Sequence, residues 1–489
     1  MPPPPQTPTQ SHPLPYILPL TATARTLHHS LQWSDHKEPP IRALILLTAL
    51  ASTAALHAQD TRTVTEPILP PVCTTLTAQL HSPLPEVDEQ KLDTARIQQA
   101  LDHCRQGHAV ALRTGGSQNT FLSGPLELRA GVTLFIDKGT TLLASRDPAL
   151  YATVPGKCGI LSDEGHFCKP LLSAQHIAGA AIMGDGTIDG RGGSKLLGSN
   201  TTWWDLAEQA RTGPRQQVPR ILVTDYADDF TLYRITLKNS PNFHVVYNHG
   251  NGFTVWGLKI DTPKRLARNT DGVDPGGSKN ITITHSFIRT GDDNIAIKGG
   301  EPVTNMTVAH NHFYYGHGMS IGSETQGGVS KIHVSDLSLD GPDSGIRIKS
   351  MGTRGGLVHD VLYDDICIRN SPRPIDLTSA YAANGPVKGN SPPTFRDITL
   401  RNVRISGGGK ILFDAYDQDH RLGVRLDNVL LTDSPTAYTY TVNFADITLG
   451  PGPTNLQIPT TNDSTVTGQP SNATPTSCTE KFIPFPTTN

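Results

Sequence analysis

Asn269-Thr270-Asp271-Gly272-Val273-Asp274, Thr290-Gly291-Asp292-Asp293-Asn294, Gly316-His317-Gly318 and Arg347-Ile348-Lys349 follow one another along the chain. From Asp271 to Asp292, His317 and Arg347 the steps are 21, 25 and 30 residues. A step of that size matches one coil of a β-solenoid, whose strands stack about 4.7–4.9 Å apart. Residues at the same phase of successive coils then become neighbours in one column. Three carboxylates, an imidazole and two cations would meet on one face, with the rest of the chain as their scaffold.

The runs around these segments carry the same period. Phe230-Thr231-Leu232, Phe253-Thr254-Val255, Ile281-Thr282-Ile283, Met306-Thr307-Val308, Ile332-His333-Val334 and Val358-His359-Asp360 open successive units, offset by 23, 28, 25, 26 and 26 residues. A repeat near 25 residues accommodates about three short strands and three turns, and no Leu-x-x-Leu-x-Leu signature accompanies it. The pattern predicts an all-β, single-stranded right-handed parallel β-helix. Lys91 to Leu101 instead has helical apolar spacing and predicts a short N-terminal helix capping the open end of the solenoid. Asp397-Ile398-Thr399-Leu400 and Val424 to Val429 read as final coils.

Composition bounds the rest. The chain of 489 residues has Gly 45, Pro 39, 17% charged residues and 6% aromatics, which favours short strands and turns. A formal net charge of −3 gives no global field for nucleic acid. An anionic partner would need locally placed cations. Residues 1–40 are rich in Pro, Thr and His and read as disordered; the apolar run from about 41 to 58, led by Arg42, matches a secretory signal. Residues 1–58 are therefore expected to be an extension plus signal peptide, removed near Ala58. The stretch before the signal reads as an over-extended start. Residues 59–450 are expected to form the catalytic β-helix, and the Thr/Pro/Asn-rich residues 451–489 a flexible tail. Cys73 with Cys104, and Cys158 with Cys168, read as two disulfides of an oxidising compartment. Cys367 and Cys478 have no obvious partner, and Cys367 reads as a core residue.

Each chemical group also has a plainer reading. Asp and Asn are common in solenoid turns for their backbone geometry, but four segments in step with the coil are harder to explain that way. Crowding Asp271 beside Asp292 and Asp293 raises the proton affinity of at least one carboxyl, as an acid catalyst requires. His317 lies between two glycines, which allow close approach of a ligand, and one coil after the acids, where it can tune their proton state. Arg347 and Lys349 alternate about Ile348 and project to one side of a strand. They could form structural ion pairs or hold a substrate carboxylate. Tyr381 could stack on a sugar ring or simply pack.

Taken in order, Asn269-Thr270-Asp271, Gly291-Asp292-Asp293, Gly316-His317-Gly318 and Arg347-Ile348-Lys349 resemble the four signature segments of polygalacturonases in glycoside hydrolase family 28. The likeness is greatest to bacterial secreted endopolygalacturonases and runs from about Cys73 to Val429. It includes Phe121 to Leu126, Gly186 to Gly190, Asn239 to His244 and Gly318 to Glu324. The resemblance implies inverting hydrolysis of α-1,4-linked galacturonate. It implies Asp292 as general acid, Asp271 and Asp293 as the groups acting on water, and His317 as an aid to the acid. Arg347, Lys349, Asn269 and Tyr381 are implied as substrate-binding residues. The cysteine pairs are similar to those of bacterial members. The expected protein is a secreted or periplasmically transiting monomer with no metal or cofactor, no nucleic-acid partner and no membrane anchor once processed. Its partner is polygalacturonate, and the intact Gly-His-Gly and Arg-Ile-Lys segments favour homogalacturonan over rhamnogalacturonan. Exo action, a calcium-dependent pectate lyase and a non-catalytic β-helix are the alternatives.

Overall fold

The computed structural model describes residues 59–381, 389–471, 473–474 and 477–487. The extension and signal peptide read into residues 1–58 lie outside them. The described chain winds into a right-handed parallel β-helix. One long face is an eleven-stranded parallel sheet running from Leu126–Glu127 to Tyr438–Asn443; a 21-stranded parallel sheet forms the remaining faces.

Aliphatic ladders explain why the chain stacks in this register. In the eleven-stranded sheet Leu126, Leu172, Leu222, Val245, Val273, Ile295, Met319, Ile346, Ile375 and Ile411 pair coil by coil. All ten are buried. Opposite them, Phe230, Phe253, Ile281, Met306, Ile332 and Val361 form a second buried column. Burying each such side chain stabilises by about 1.5–3 kcal/mol. Five of the six unit starts read from the sequence therefore fall in one ladder. The sixth does not: Ile332 pairs with Val361, while Val358 pairs with Val329. The strand Leu357–Arg369 presents both valines inward, so hydropathy marked the coil but not its register.

The corners carry left-handed residues. His285, His310, Asp336, Asp365 and Asn402 all have φ between 46 and 58°, a conformation that Asn, Asp and His tolerate better than most residues. Much of the Asp and Asn content is thus turn chemistry. The helix expected at Lys91–Leu101 forms as Thr94–His103, with Ile97, Ala100 and Leu101 facing the core. It covers the N-terminal end, and the disulfide Cys73–Cys104 ties it to the first strand, Val72–Thr77. Cys158–Cys168 closes the second expected loop.

The C-terminal segment departs from the flexible tail expected from composition. Thr465–Thr467 adds a strand to Ala445–Leu449. Cys478 pairs with Cys367, so the two cysteines left without partners form a third disulfide. Lys481 Nζ donates to Asp336 Oδ1 at 2.7 Å and also to Asp365. Arg369 lies over the Phe482 ring at 4.3 Å, and Arg289 over Phe485 at 4.0 Å. A few anchoring side chains in a polar segment hold it along successive coils, which bulk composition could not show. Removing a native disulfide typically costs about 2–4 kcal/mol. Cys478→Ser is accordingly expected to lower the calorimetric melting temperature and to render residues 477–487 cleavable by protease while the solenoid stays intact. An unchanged digestion pattern would assign the docking to the ion pairs and rings instead.

Candidate active site

The site lies on the eleven-stranded sheet and the turns that feed it. Asp271 precedes the strand Val273–Gly276, Asp292 and Asp293 precede Ile295–Ile297, and His317 precedes Met319–Ile321. Arg347 and Lys349 lie within Ser344–Lys349, on either side of the fully buried Ile348. Because side chains alternate along a strand, parallel pairing sets Ser320 beside Arg347 and Arg347 beside Asp376. Five of the six residues singled out in the sequence join in one bonded network, and Asp271, paired with Lys298, adjoins it electrostatically.

Small polar residues shape the turns. Thr270 Oγ1 donates to Ala267 O at 2.6 Å and accepts from the Gly291 N–H at 3.0 Å, joining two coils. The buried Asn294 side chain donates to Tyr315 O at 3.1 Å and accepts from the Gly318 N–H at 2.9 Å. The glycines beside His317 serve this stacking. Gly316 has φ 121°, and a Cβ there would meet Asp292 O at 2.8 Å; Gly318 has φ 76°, and a Cβ would lie 2.0 Å from Ser344 O. The His317 turn is wedged between the coils below and above it.

Asp293 is buried and fully engaged. Its Oδ1 accepts from Ser320 Oγ at 2.7 Å and Arg347 Nη1 at 3.0 Å, and its Oδ2 from Lys349 Nζ at 2.8 Å. Burial alone would raise its proton affinity; Lys349 and Arg347 outweigh that and hold it below the usual carboxylate range. Asp292, more open to solvent, accepts from His317 Nδ1 at 2.8 Å. Here too burial raises proton affinity, and the hydrogen bond and charge of His317 reverse the direction. His317 is correspondingly raised to about 10: burial opposes this, but bonds to Asp292 and Asp343 prevail. Its Nε2 is 3.5 Å from Asp343, which pairs with Lys264 at 2.8 Å.

Among the acids read from the sequence, Asp271 is the one whose proton affinity rises in the free protein. Burial pushes Asp271 up to about 7, with Lys298 opposing and Asp292 and Asp293 reinforcing. Repulsion does raise a member of the cluster, but in the free protein the proton near Asp292 resides on His317. Beside Asp271, Asp274 is buried, has no hydrogen-bond partner on either oxygen among the described residues, and is pushed well above the ordinary value by burial and Asp271. Lys298 Nζ is 3.1 Å from Asp271 and 3.9 Å from Asp274.

Lys298, Asp274, Asp343 and Asp376 received no role from the sequence. Asp274 stood within the quoted motif; Lys298 follows the Asp292 segment by one strand and was legible only as a strand-end cation. Asp376 holds Arg347 Nε at 3.4 Å and Ser344 Oγ at 2.9 Å. Tyr381 sits by both cations, its ring centre 5.6 Å from the Arg347 guanidinium and 5.5 Å from Lys349 Nζ. Asn269, left-handed with φ 57°, makes no hydrogen bond to the acids among the described residues and lines an adjoining pocket.

Comparison with known proteins identifies the family and its fold. Residues 117–447 match the family model Glycosyl hydrolases family 28. A polygalacturonase of Ralstonia solanacearum is 39% identical over 90% of this chain and 97% of its own length. An endo-polygalacturonase of Pectobacterium carotovorum subsp. carotovorum is 42% identical over 78% of this chain and 92% of its own. The solved polygalacturonase of Erwinia carotovora ssp. carotovora superimposes with a TM-score of 0.72 at 39% identity, covering 80% of this chain and all of that one.

The His317–Asp292 pair gives a pH test. The folded state raises the proton affinity of His317 from 6.5 to about 10. Its stabilising contribution is thus complete below pH 6.5 and lost as pH rises through about 10. The melting-temperature gap between wild type and His317→Gln is expected to be widest below pH 6.5 and to close toward pH 10. A gap constant across that range would contradict the imidazolium pairing.

Proposed function

This chain belongs to glycosyl hydrolases family 28 and is a glycoside hydrolase acting on polygalacturonate, and we propose that it is a secreted monomer that cuts within homogalacturonan chains with inversion. The observation that carries this reading is the single network in which Asp292–His317 adjoins an Asp293 held by Arg347 and Lys349. One chain supplies every group, and acid, base and anion-binding cations are all side chains, so the proposed route calls on no cofactor. Relatives named endo-polygalacturonase, 41 and 42% identical, support internal cleavage. The proposed catalytic unit spans residues 59–450. Three disulfides fit an oxidising compartment, no described helix is long and apolar enough to cross a membrane, and the signal read at 41–58 supplies an export route.

In this mechanism a galacturonate carboxylate engages Arg347 and Lys349, with Tyr381 and Asn269 at the flanks. The incoming negative charge raises the proton affinity of the nearby acids. Asp292 then takes the proton from His317 Nδ1 across 2.8 Å and delivers it to the departing glycosidic oxygen. Sharing their cations with the substrate, Arg347 and Lys349 hold Asp293 less tightly and strengthen it as a base toward water. Asp271, paired with Lys298, orients that water. Attack from the face opposite the leaving oxygen inverts the anomeric carbon.

A calcium-dependent lyase would use the same acids as ligands, and those of Asp292, Asp293 and His317 come within 4.8 Å of one another. Calcium needs six to eight oxygen ligands, however, and Asp293 already accepts from Ser320, Arg347 and Lys349. Hydrolysis fits this donor set better. Polygalacturonate should yield saturated oligomers of mixed length at undiminished rate in excess chelator; unsaturated products or loss of activity would favour the lyase. Asp292→Asn is expected to lower kcat by about 10²–10⁴-fold with KM changed only a few-fold, measured from reducing ends. Unaltered turnover would leave the β-helix a non-catalytic role.

A further inference from the structure

The C-terminal segment runs as a strap past the stretches that lead into the catalytic turns. Near its end, the Phe485 ring centre lies 4.0 Å from the Arg289 guanidinium, which also lies 6.0 Å from the Tyr315 ring centre. Phe485 meets the Tyr314 ring edge-on with centres 5.3 Å apart, and Tyr314 Oη donates to Ile483 O at 3.0 Å. Arg289 closes the strand Phe287–Arg289 and is followed directly by the turn 290–294, which bears Asp292 and Asp293. Tyr314 and Tyr315 follow the strand Val303–Phe313 and lead into Gly316-His317-Gly318. One side chain of the strap therefore grips both lead-in stretches from outside.

The links from there to the acids are short. Tyr315 O accepts from the Asn294 side chain at 3.1 Å, Asn294 also donates to Thr290 Oγ1 at 3.2 Å, and Thr290 Oγ1 donates to Asp292 O at 2.7 Å. Tyr315 Oη donates to Thr262 O at 3.1 Å. Thr262 Oγ1 is 2.8 Å from Nε2 of the buried His244, whose Nδ1 is 2.9 Å from Asp271 O. The 2.8 Å bond between Asp292 and His317 spans the two turns, so any relative shift of their lead-ins lengthens it. Fastening alone does not call for Phe485, because Cys478, Lys481 and Phe482 already tie down the strap. Phe482 packs on Arg369, which leads into residues 370–372 and none of the acids; Phe485 packs where the acids begin.

We propose that Phe485 is a positioning residue for turnover: packed on Arg289 and Tyr314, it holds the two adjacent turns at the separation that the Asp292–His317 hydrogen bond requires. The inference rests on the hydrolase reading above, in which Asp292 takes its proton from His317, and gives the C-terminal strap a part in that step. Phe485 acts through the backbone of the two turns and not on the sugar. Proton transfer is sensitive to such placement, because donor and acceptor must stay within hydrogen-bond reach.

Phe485→Ala removes the ring and Phe485→Tyr keeps it, while Phe482→Ala removes the ring on Arg369 and so loosens the strap away from the acids. Circular-dichroism melting sets a temperature at which each full-length variant is folded, and initial rates on polygalacturonate are measured there across pH. Phe485→Ala is expected to lower kcat about tenfold with KM nearly unchanged, less than the roughly 10²-fold that a 1 Å misplacement can cost. A longer bond to Asp292 also lets the proton affinity of His317 fall toward its ordinary value, with the same Asp292, Asp293 and Asp343 facing it as in the wild type. The alkaline limb of the kcat/KM profile is therefore expected to move to lower pH. Phe485→Tyr should restore both properties, and Phe482→Ala should alter neither. A lower melting temperature in Phe485→Ala with kcat and the alkaline limb unchanged, or an equal loss in Phe482→Ala, would overturn the positioning role. Failure of the wild-type protein to cleave polygalacturonate, or unimpaired turnover in Asp292→Asn, would instead overturn the reading beneath it.

Discussion

In-register stacking of parallel coils is the constraint on which everything else rests. The buried ladder through Val273, Ile295, Met319, Ile346 and Ile375 fixes which residues of adjacent coils lie side by side. A slip of one residue in Ser344–Lys349 would turn Ile348 outward and drive Arg347 and Lys349 into the apolar core. The placement of the cations is therefore enforced by the cost of misplacing their neighbours. Small contacts at the turns finish the alignment: Gly316 and Gly318 let the His317 turn fit between coils, and Asn294 bonds it to the one below.

That scaffold holds a dense set of opposed charges. Asp293 is compensated on both oxygens, Asp292 shares a proton with His317, and Asp271 leans on Lys298, whereas the oxygens of Asp274 have no hydrogen-bond partner among the described residues. Such buried arrangements contribute little net stability once desolvation is counted. Their consequence is sensitivity: an anion entering the network shifts the proton affinities of several groups together.

The C-terminal segment shows the same economy on another face. Lys481, Phe482 and Phe485 fasten a polar strand of chain to coils that contribute Asp336, Asp365, Arg369 and Arg289. Cys478 joins a cysteine inside the long strand Leu357–Arg369. Since the matched family region ends at residue 447, this strap is an addition to the matched β-helix region.

The sequence by itself determined the coil period, the parallel β-helix, the capping helix, two disulfides and the set of acids, imidazole and cations that meet at one site. It could do so because a stacked fold turns regular spacing in the chain into adjacency in space. Tertiary structure alone decided the register at Val361, the Cys367–Cys478 pair and the docking of the polar C-terminal segment, all of which rest on contacts between distant residues that follow no period. It also decided the charge states. Whether Asp271 or Asp292 carries a proton depends on burial and on Lys298, Asp343 and His317 at distances of a few ångströms, and periodicity can place residues in a column without specifying those distances.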